Sequence, residues 1–296
     1  ERVDGEFTPG DVVDVISARG RFMGRAMYNP ASQIALRMFT THDEPVDEAF
    51  IRGRVKRALD YRRKFADMRS CRAIFAESDG LPALIADCFG DVIVIQSLAL
   101  GMERWKETVV DALCDELHPK GVWERSDVKV RELEGMQMTQ GLLRGEVPDR
   151  VEILENGIRF NVDVKEGQKT GYFLDQKENR AAIAPFVRGA RVLDCFTHTG
   201  AFALHAAHYG AAEVTGVDIS VSAFISSNAQ SIPSSNLVNC INALRKIIFE
   251  LPEGICPQYF RQSSATPFVT RMAISTTLPS GTLVPAAGVW TETVAS

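Results

Sequence analysis

Arg191-Val-Leu-Asp-Cys-Phe-Thr-His-Thr-Gly-Ala-Phe-Ala-Leu-His-Ala-Ala-His-Tyr-Gly-Ala-Ala-Glu-Val-Thr-Gly-Val-Asp-Ile-Ser220 decides the fold. Val192, Leu193 and Cys195 surround an acid, Asp194, in a short apolar run that reads as a buried strand. Thr197, His198, Thr199 and Gly200 make a turn. Phe202, Leu204, Ala206, Ala207 and Tyr209 then carry a small-residue helix, which Gly210 stops as a C-cap. A second apolar strand, 213–217, runs into Asp218. Strand, turn, helix and strand with an acid near each strand end form a unit of an open α/β sheet. Such sheets bind ligands beyond the C-terminal ends of their strands.

The turn narrows the choice of ligand. A dinucleotide site uses a G-x-G-x-x-G run, because the backbone must approach a pyrophosphate at the helix N-terminus. This turn holds one glycine, Gly200, and serves a pyrophosphate poorly. An adenosine ligand without phosphates fits better. Asp218 can accept hydrogen bonds from two ribose hydroxyls, and a turn led by Asp194 faces a positively charged tail. S-adenosylmethionine has both a ribose and a cationic sulfonium–amino acid end. An ordinary βαβ unit with solvent-exposed acids is the plainer alternative.

Just upstream lies Glu166-Gly-Gln-Lys-Thr-Gly-Tyr-Phe-Leu-Asp-Gln-Lys-Glu-Asn-Arg180. The segment Lys169–Gln176, with Arg180 behind it and the acids Asp194 and Asp218, resembles the two-part cofactor site of bacterial large-subunit ribosomal RNA cytosine-C5 methyltransferases. The resemblance spans about residues 3–220. It implies S-adenosylmethionine as cofactor and ribosomal RNA as partner. It also implies that Phe173, Asp175 and Gln176 close the cofactor opposite Asp194, Phe196 and Gly200, with Asp218 on the ribose. The implied fold is α/β plus a small β-barrel: a PUA-like pseudobarrel, a central α+β domain and a class I, Rossmann-like methyltransferase domain. The expected divisions are 1–45, a basic linker helix at 46–72, 73–165 and 166–296.

Composition agrees with a globular protein of more than one domain. The chain has 296 residues, 45% hydrophobic and 24% charged, with net charge −5. No apolar run approaches the ~20 residues of a membrane span. The six cysteines lack any CxxC pair and read as reduced thiols of a cytoplasmic protein, not as a metal site or disulfide framework. The first residue is Glu1, so the native N-terminus is expected to lie upstream. Oligomeric state has no signature in the sequence.

Along the chain, Val12–Ile16, Phe22–Ala26 and Ile34–Phe39 read as strands, and Tyr28 to Ile34 with Arg37 resembles a piece of the family's PUA domain. Residues 46–70 read as a helix with Ile51, Val55, Ala58, Leu59, Phe65 and Met68 on one stripe. Its other faces are basic, and Arg52, Lys56 and Arg63 are candidate phosphate contacts. A basic run is more often a solvated helix face. Next come strands at 84–86 and 92–96, an amphipathic helix from Met102 to Leu117, and strands at 122–125 and 128–130. Residues 152–162 alternate about Asn156-Gly157, a hairpin with a type I′ turn.

After Ser220 the composition shifts. Only three of the 38 acidic residues lie beyond it (Glu250, Glu253 and Glu292), and six prolines interrupt the segment. Asn239–Leu251 is the one helix expected there. The family's Asp-Pro-Pro loop and nucleophilic cysteine have no counterpart, since Cys240 and Cys256 lack the context and Cys195 sits in the cofactor turn. The catalytic residue is therefore unassigned, and 221–296 reads as a truncated, frameshifted or chimeric end. An RNA-binding protein without catalysis, or a methyltransferase of another base such as guanine N2, are the alternatives.

Overall fold

Val12, Val13, Val15 and Ile16 begin the folded chain. A computed structural model describes residues 4–217 together with the paired two-residue strands Thr276–Thr277 and Leu283–Val284. Contacts divide the chain into two units, 1–153 with 162–174, and 154–161 with 175–296.

The first unit opens with β1 (Val12–Ile16), β2 (Phe22–Tyr28) and β3 (Leu36–Thr40), an antiparallel sheet in that order. Helix α1 (Glu48–Phe65) starts at Asp47, whose carboxylate accepts the Phe50 N–H at 2.9 Å, and ends on Arg62, Arg63 and Lys64. Both ends suit the helix dipole. Ile51, Val55, Ala58 and Leu59 are buried, whereas Phe65 at the end of the expected stripe is 74% exposed. Phe65 is the last residue of the helix, which closes with the Ala66 N–H on the Arg62 carbonyl at 2.8 Å.

A five-stranded sheet follows: β4 (Ser70–Phe75), β5 (Leu84–Phe89), β6 (Val92–Ser97), β7 (Gly121–Ser126) and β8 (Thr139–Gly145). Only β6 and β7 run parallel, and helices α2 (Leu100–Glu103) and α3 (Lys106–Leu117) make the crossover between them. The single helix expected from Met102 to Leu117 is thus broken at Trp105. Val128-Lys-Val130 is not a strand. The chain leaves the sheet at Ser126 and winds into the one-turn helix α4 (Val130–Leu133), with the Arg131 N–H on the Val128 carbonyl. The sheet is completed instead by β8. One core joins Met27 and Phe39 of the first sheet, the apolar face of α1, the strands of the second sheet and α3.

Strands β9 (Val151–Glu155) and β10 (Ile158–Val162) form the hairpin, alternating buried and outward residues about Asn156 and Gly157, both at positive φ. The second unit continues with α5 (Lys177–Ala182), α6 (Ala184–Val187), β11 (Arg191–Cys195), α7 (Ala201–His208) and β12 (Glu213–Val217). Strands β11 and β12 pair in parallel, Asp194 opposite Gly216. Ala203, Ala206, Ala207, Ala211 and Val214 pack with Val187 beneath them. The small side chains of α7 let its backbone lie close to the sheet. The helix expected at Asn239–Leu251 and the rest of 221–296 lie outside the described residues, apart from the two short strands.

Candidate cofactor site

The turn from β11 to α7 is built by its own acid. The first N–H groups of a helix lack partners within it. The N-cap of α7 is Gly200, which has no side chain to offer. Asp194 supplies the cap from the strand: its carboxylate accepts the Ala203 N–H at 3.0 Å and the Thr197 hydroxyl. A negative charge at this end also complements the positive end of the helix dipole. Gly200 stands at φ +76°, a conformation in which an L side chain is strained. Phe196 and His198 adopt φ of +61° and +52° in the same turn without that excuse. Such strain collects at binding sites. Phe196 is 72% exposed. Asp194, Phe196 and Gly200 are therefore brought together, while Asp218 lies outside the described residues.

The second segment, 166–176, is divided between the units. In the first unit, Gly171 has φ +125° and lies against the Val162 side chain and the backbone of Asp163 and Val164, where a Cβ would come within 2.8 Å of the Asp163 carbonyl oxygen. Next to it the buried Thr170 hydroxyl donates to Asp87 Oδ2 at 2.6 Å. Asp87, on β5, is fully buried and receives Arg72 at 2.8 and 3.0 Å. Arg125 of β7 donates to the Gly167 carbonyl at 2.8 Å. The central sheet thus holds this loop through Asp87 and Arg125, with Arg72 pairing Asp87. Phe173 follows, with the Lys169 ammonium 4.2 Å from its ring centroid. Asp175 and Gln176 belong to the second unit, in a 3-10 turn leading into α5, and Gln176 donates to Asp175 at 3.1 Å.

Sequence reading missed a buried polar cluster in the second unit. Arg180 of α5 makes a two-pronged ion pair with Glu155 at 2.6 and 3.1 Å, both side chains essentially inaccessible. His205 of α7 lies 3.7 Å from the same carboxylate. Its Nδ1–H donates to the Ala201 carbonyl at 2.7 Å, which leaves Nε2 to accept the Asn156 amide at 3.2 Å. Burial lowers the His205 pKa, so the ring is neutral at pH 7. Phe160 stacks on it at 5.7 Å. The cluster ties the helix after Gln176 to the helix after Gly200. Of its members only Arg180 is set beside the cofactor segment on sequence grounds.

Of the candidate phosphate contacts, Arg52 pairs with Glu48 and Asp115, Lys56 with Asp60 and Glu116, and Arg63 with Asp60 and Glu116. Among the described residues no group of three His, Cys, Asp or Glu side chains is arranged to hold a metal, and no helix is long and apolar enough to cross a membrane.

Comparison with known proteins agrees with this architecture. Residues 1–41 match the family model of a PUA-like domain, and residues 132–257 that of an S-adenosylmethionine-dependent methyltransferase. The ribosomal RNA large subunit methyltransferase I of Shewanella denitrificans is 44% identical over 73% of this chain and 56% of its own length. That of Pseudoalteromonas atlantica is 42% identical over 74% of this chain and 57% of its own. The chain spans little more than half the length of these curated relatives. Among solved structures, SMU.776, assigned as a methyltransferase and crystallised with SAH, superposes with a TM-score of 0.64 at 25% identity. The match covers 74% of this chain and 57% of that one. The chain is thus similar over nearly three-quarters of its length to the bacterial ribosomal RNA large subunit methyltransferase I proteins, with a PUA-like domain ahead of a class I S-adenosylmethionine-dependent methyltransferase fold.

Proposed function

We propose that this chain is the cofactor-binding and RNA-recognising part of an S-adenosylmethionine-dependent methyltransferase acting on large-subunit ribosomal RNA, with C5 of a cytosine as the target. The observation that carries the reading is the β11–α7 turn, whose single glycine and strand-borne acid suit a cationic nucleoside and offer no cradle for a pyrophosphate. The named relatives and the SAH-bound structural neighbour support the same ligand.

S-adenosylmethionine supplies an electrophilic methyl group. The protein's share is to bind and orient. Asp194, Phe196 and Gly200 hold the methionine end, Asp218 the ribose, and Phe173, Asp175 and Gln176 the remaining side. Methylation at C5 also requires a nucleophile at C6 of the cytosine. Among the described cysteines Cys71 and Cys88 are buried in strands, Cys114 is half-buried on α3, and Cys195 is exposed beside the cofactor turn. No catalytic residue is assigned. Arg52, Lys56 and Arg63 can serve RNA phosphates by exchanging their surface carboxylates, since such exposed pairs are weak. We infer a cytoplasmic setting, consistent with the free thiols.

Calorimetry with S-adenosylmethionine and SAH, followed by transfer of tritiated methyl to isolated ribosomal RNA, tests the reading. Saturable cofactor binding and label in the RNA are expected. Absence of binding at millimolar cofactor defeats it, whereas RNA binding alone leaves a non-catalytic RNA-binding protein.

A further inference from the structure

A cleft of ≈ 690 Å³ opens in the first unit between three elements: the end of β3 and the bend after it, one face of α1, and the 3-10 turn Ala76–Asp79. That volume falls in the range of about 300–1,000 Å³ typical of small-ligand sites. Arg54, Arg57, Tyr61 and Arg62 reach it from α1, His42 from the bend, and Asp79 from the 3-10 turn.

The charges of this cleft are unevenly satisfied. Asp79 is almost buried and is neutralised by Arg62 at 2.7 and 3.1 Å. Glu77, on the rim, has Arg37 at 3.7 Å. Arg54 reaches Glu44 only at 3.6 Å and is wedged against Gly80, where a Cβ would come within 2.5 Å of its Nη1. Arg57 makes no ion pair with any described residue, although Arg52, Lys56, Arg62 and Arg63 around it all do. Burial and then the Arg57 charge lower the Arg54 pKa, with the Glu44 carboxylate only partly opposing them, so two cations share the cleft with a single loosely placed anion. One helical turn beyond Arg57 stands Tyr61, 57% exposed, with the Arg62 guanidinium 5.2 Å from its ring centroid and Phe65 at 5.1 Å. Residues at i and i+4 share a helix face. An unmatched cation is thus set beside an accessible ring.

We propose that this cleft holds one unpaired ribonucleotide of the RNA substrate, its base stacked on Tyr61 and its phosphate between Arg54 and Arg57. The cleft's own chemistry specifies an anionic group next to a planar ring; that the occupant is part of an RNA strand rests on the function proposed above. Single-stranded RNA is recognised in this way, by stacking on aromatic side chains with arginines on the backbone. The expected cations of α1 lie on the face paired with α3, so the nucleotide is carried by residues next to them in sequence.

The test is fluorescence anisotropy of the full chain with a labelled 12-nucleotide single-stranded RNA over a salt series. Tyr61→Ala should weaken binding about tenfold with an unchanged salt slope, and Tyr61→Phe should bind like the parent protein. Arg57→Ala should weaken it by a similar factor and lower the slope by about 0.7. Both substitutions are at exposed positions, and S-adenosylmethionine affinity, read by calorimetry, should be unaltered by them. Parent-like RNA affinity in both alanine variants overturns the assignment, as does a parent chain that does not bind the oligonucleotide. Equal affinity for a free mononucleotide overturns it too, in favour of a small-molecule site. If the parent chain and both variants fail to bind cofactor yet the RNA effects appear, the cleft stands and only the methyltransferase reading falls.

Discussion

At the residue scale, Asp194 builds the turn, and under the proposed function its charge would also face the cofactor. Asparagine can still accept the Ala203 N–H, so Asp194→Asn should keep the fold while losing the charge that faces a sulfonium. Asp218→Ala removes the proposed ribose acceptor. Each change is expected to weaken S-adenosylmethionine binding by about 1–3 kcal/mol, read by calorimetry; unchanged affinity in both would remove the two-acid site. Arg180 supports a different expectation. Its guanidinium satisfies a carboxylate that is 0% exposed, and removing one partner of a buried pair costs about 3–5 kcal/mol. Arg180→Gln should therefore lower the unfolding free energy of the second unit by that order in urea titration. A loss near zero would mean that Glu155 finds another donor. Asp194 and Gly200 were legible because they sit six residues apart in one turn. The Glu155–Arg180–His205 cluster was not, because its members come from three elements and no local periodicity links them.

At the element scale, what was legible followed from period and turn chemistry. The alternation about Asn156-Gly157 gave β9 and β10, and the stripe Ile51, Val55, Ala58 and Leu59 gave the buried face of α1. β8 escaped because Thr-Gln-Gly-Leu-Leu-Arg-Gly carries two glycines and two adjacent leucines, which blur a period of two. Val128 and Val130 alternate about Lys129 but lie where the sheet has already ended, and tertiary context overrides β-propensity there. The loop 166–173 has no period at all. Its shape comes from partners far away in sequence, Thr170 on Asp87 and Arg125 on the Gly167 carbonyl. This loop should depend on those contacts more than on its own residues. Thr170→Val leaves Asp87 without one buried donor, costing about 1–3 kcal/mol. The amides of Gly171 and Tyr172 should exchange faster in the variant by hydrogen-exchange mass spectrometry, with β6 unaffected. Equal protection in both proteins would show that backbone packing alone holds the loop.

At the scale of the whole molecule, the first unit is joined by polar contacts as well as by its shared core. Glu134, just after α4, is the hub. Asn29 Nδ2 donates to its Oε2 at 3.0 Å and to its carbonyl at 2.9 Å, while Arg37 at 3.1 Å and the Ser32 hydroxyl both donate to its Oε1. Burial by itself would raise the Glu134 pKa, but the donors from Ser32, Asn29 and Arg37 outweigh it and hold the pKa below the ordinary 4.5. A carboxylate whose pKa is lower folded than unfolded binds fewer protons in the native state, so its stabilisation is complete above the unfolded value. That stabilisation disappears as pH falls through the lower, folded value. The union of the PUA-like sheet with the central sheet should accordingly weaken below about pH 4.5, where the unfolded chain begins to take up the proton. Other carboxylates titrate in the same window, so the discriminating quantity is a difference between proteins. Glu134→Gln cannot titrate and no longer attracts Arg37 as an anion. It should be less stable at pH 7 by about 1–3 kcal/mol, with the gap to the parent protein narrowing as both are taken from pH 5 to pH 3 in scanning calorimetry. Parallel profiles over that range would mean that the carboxylate's charge contributes nothing to the joint and that the apolar core holds the two sheets unaided.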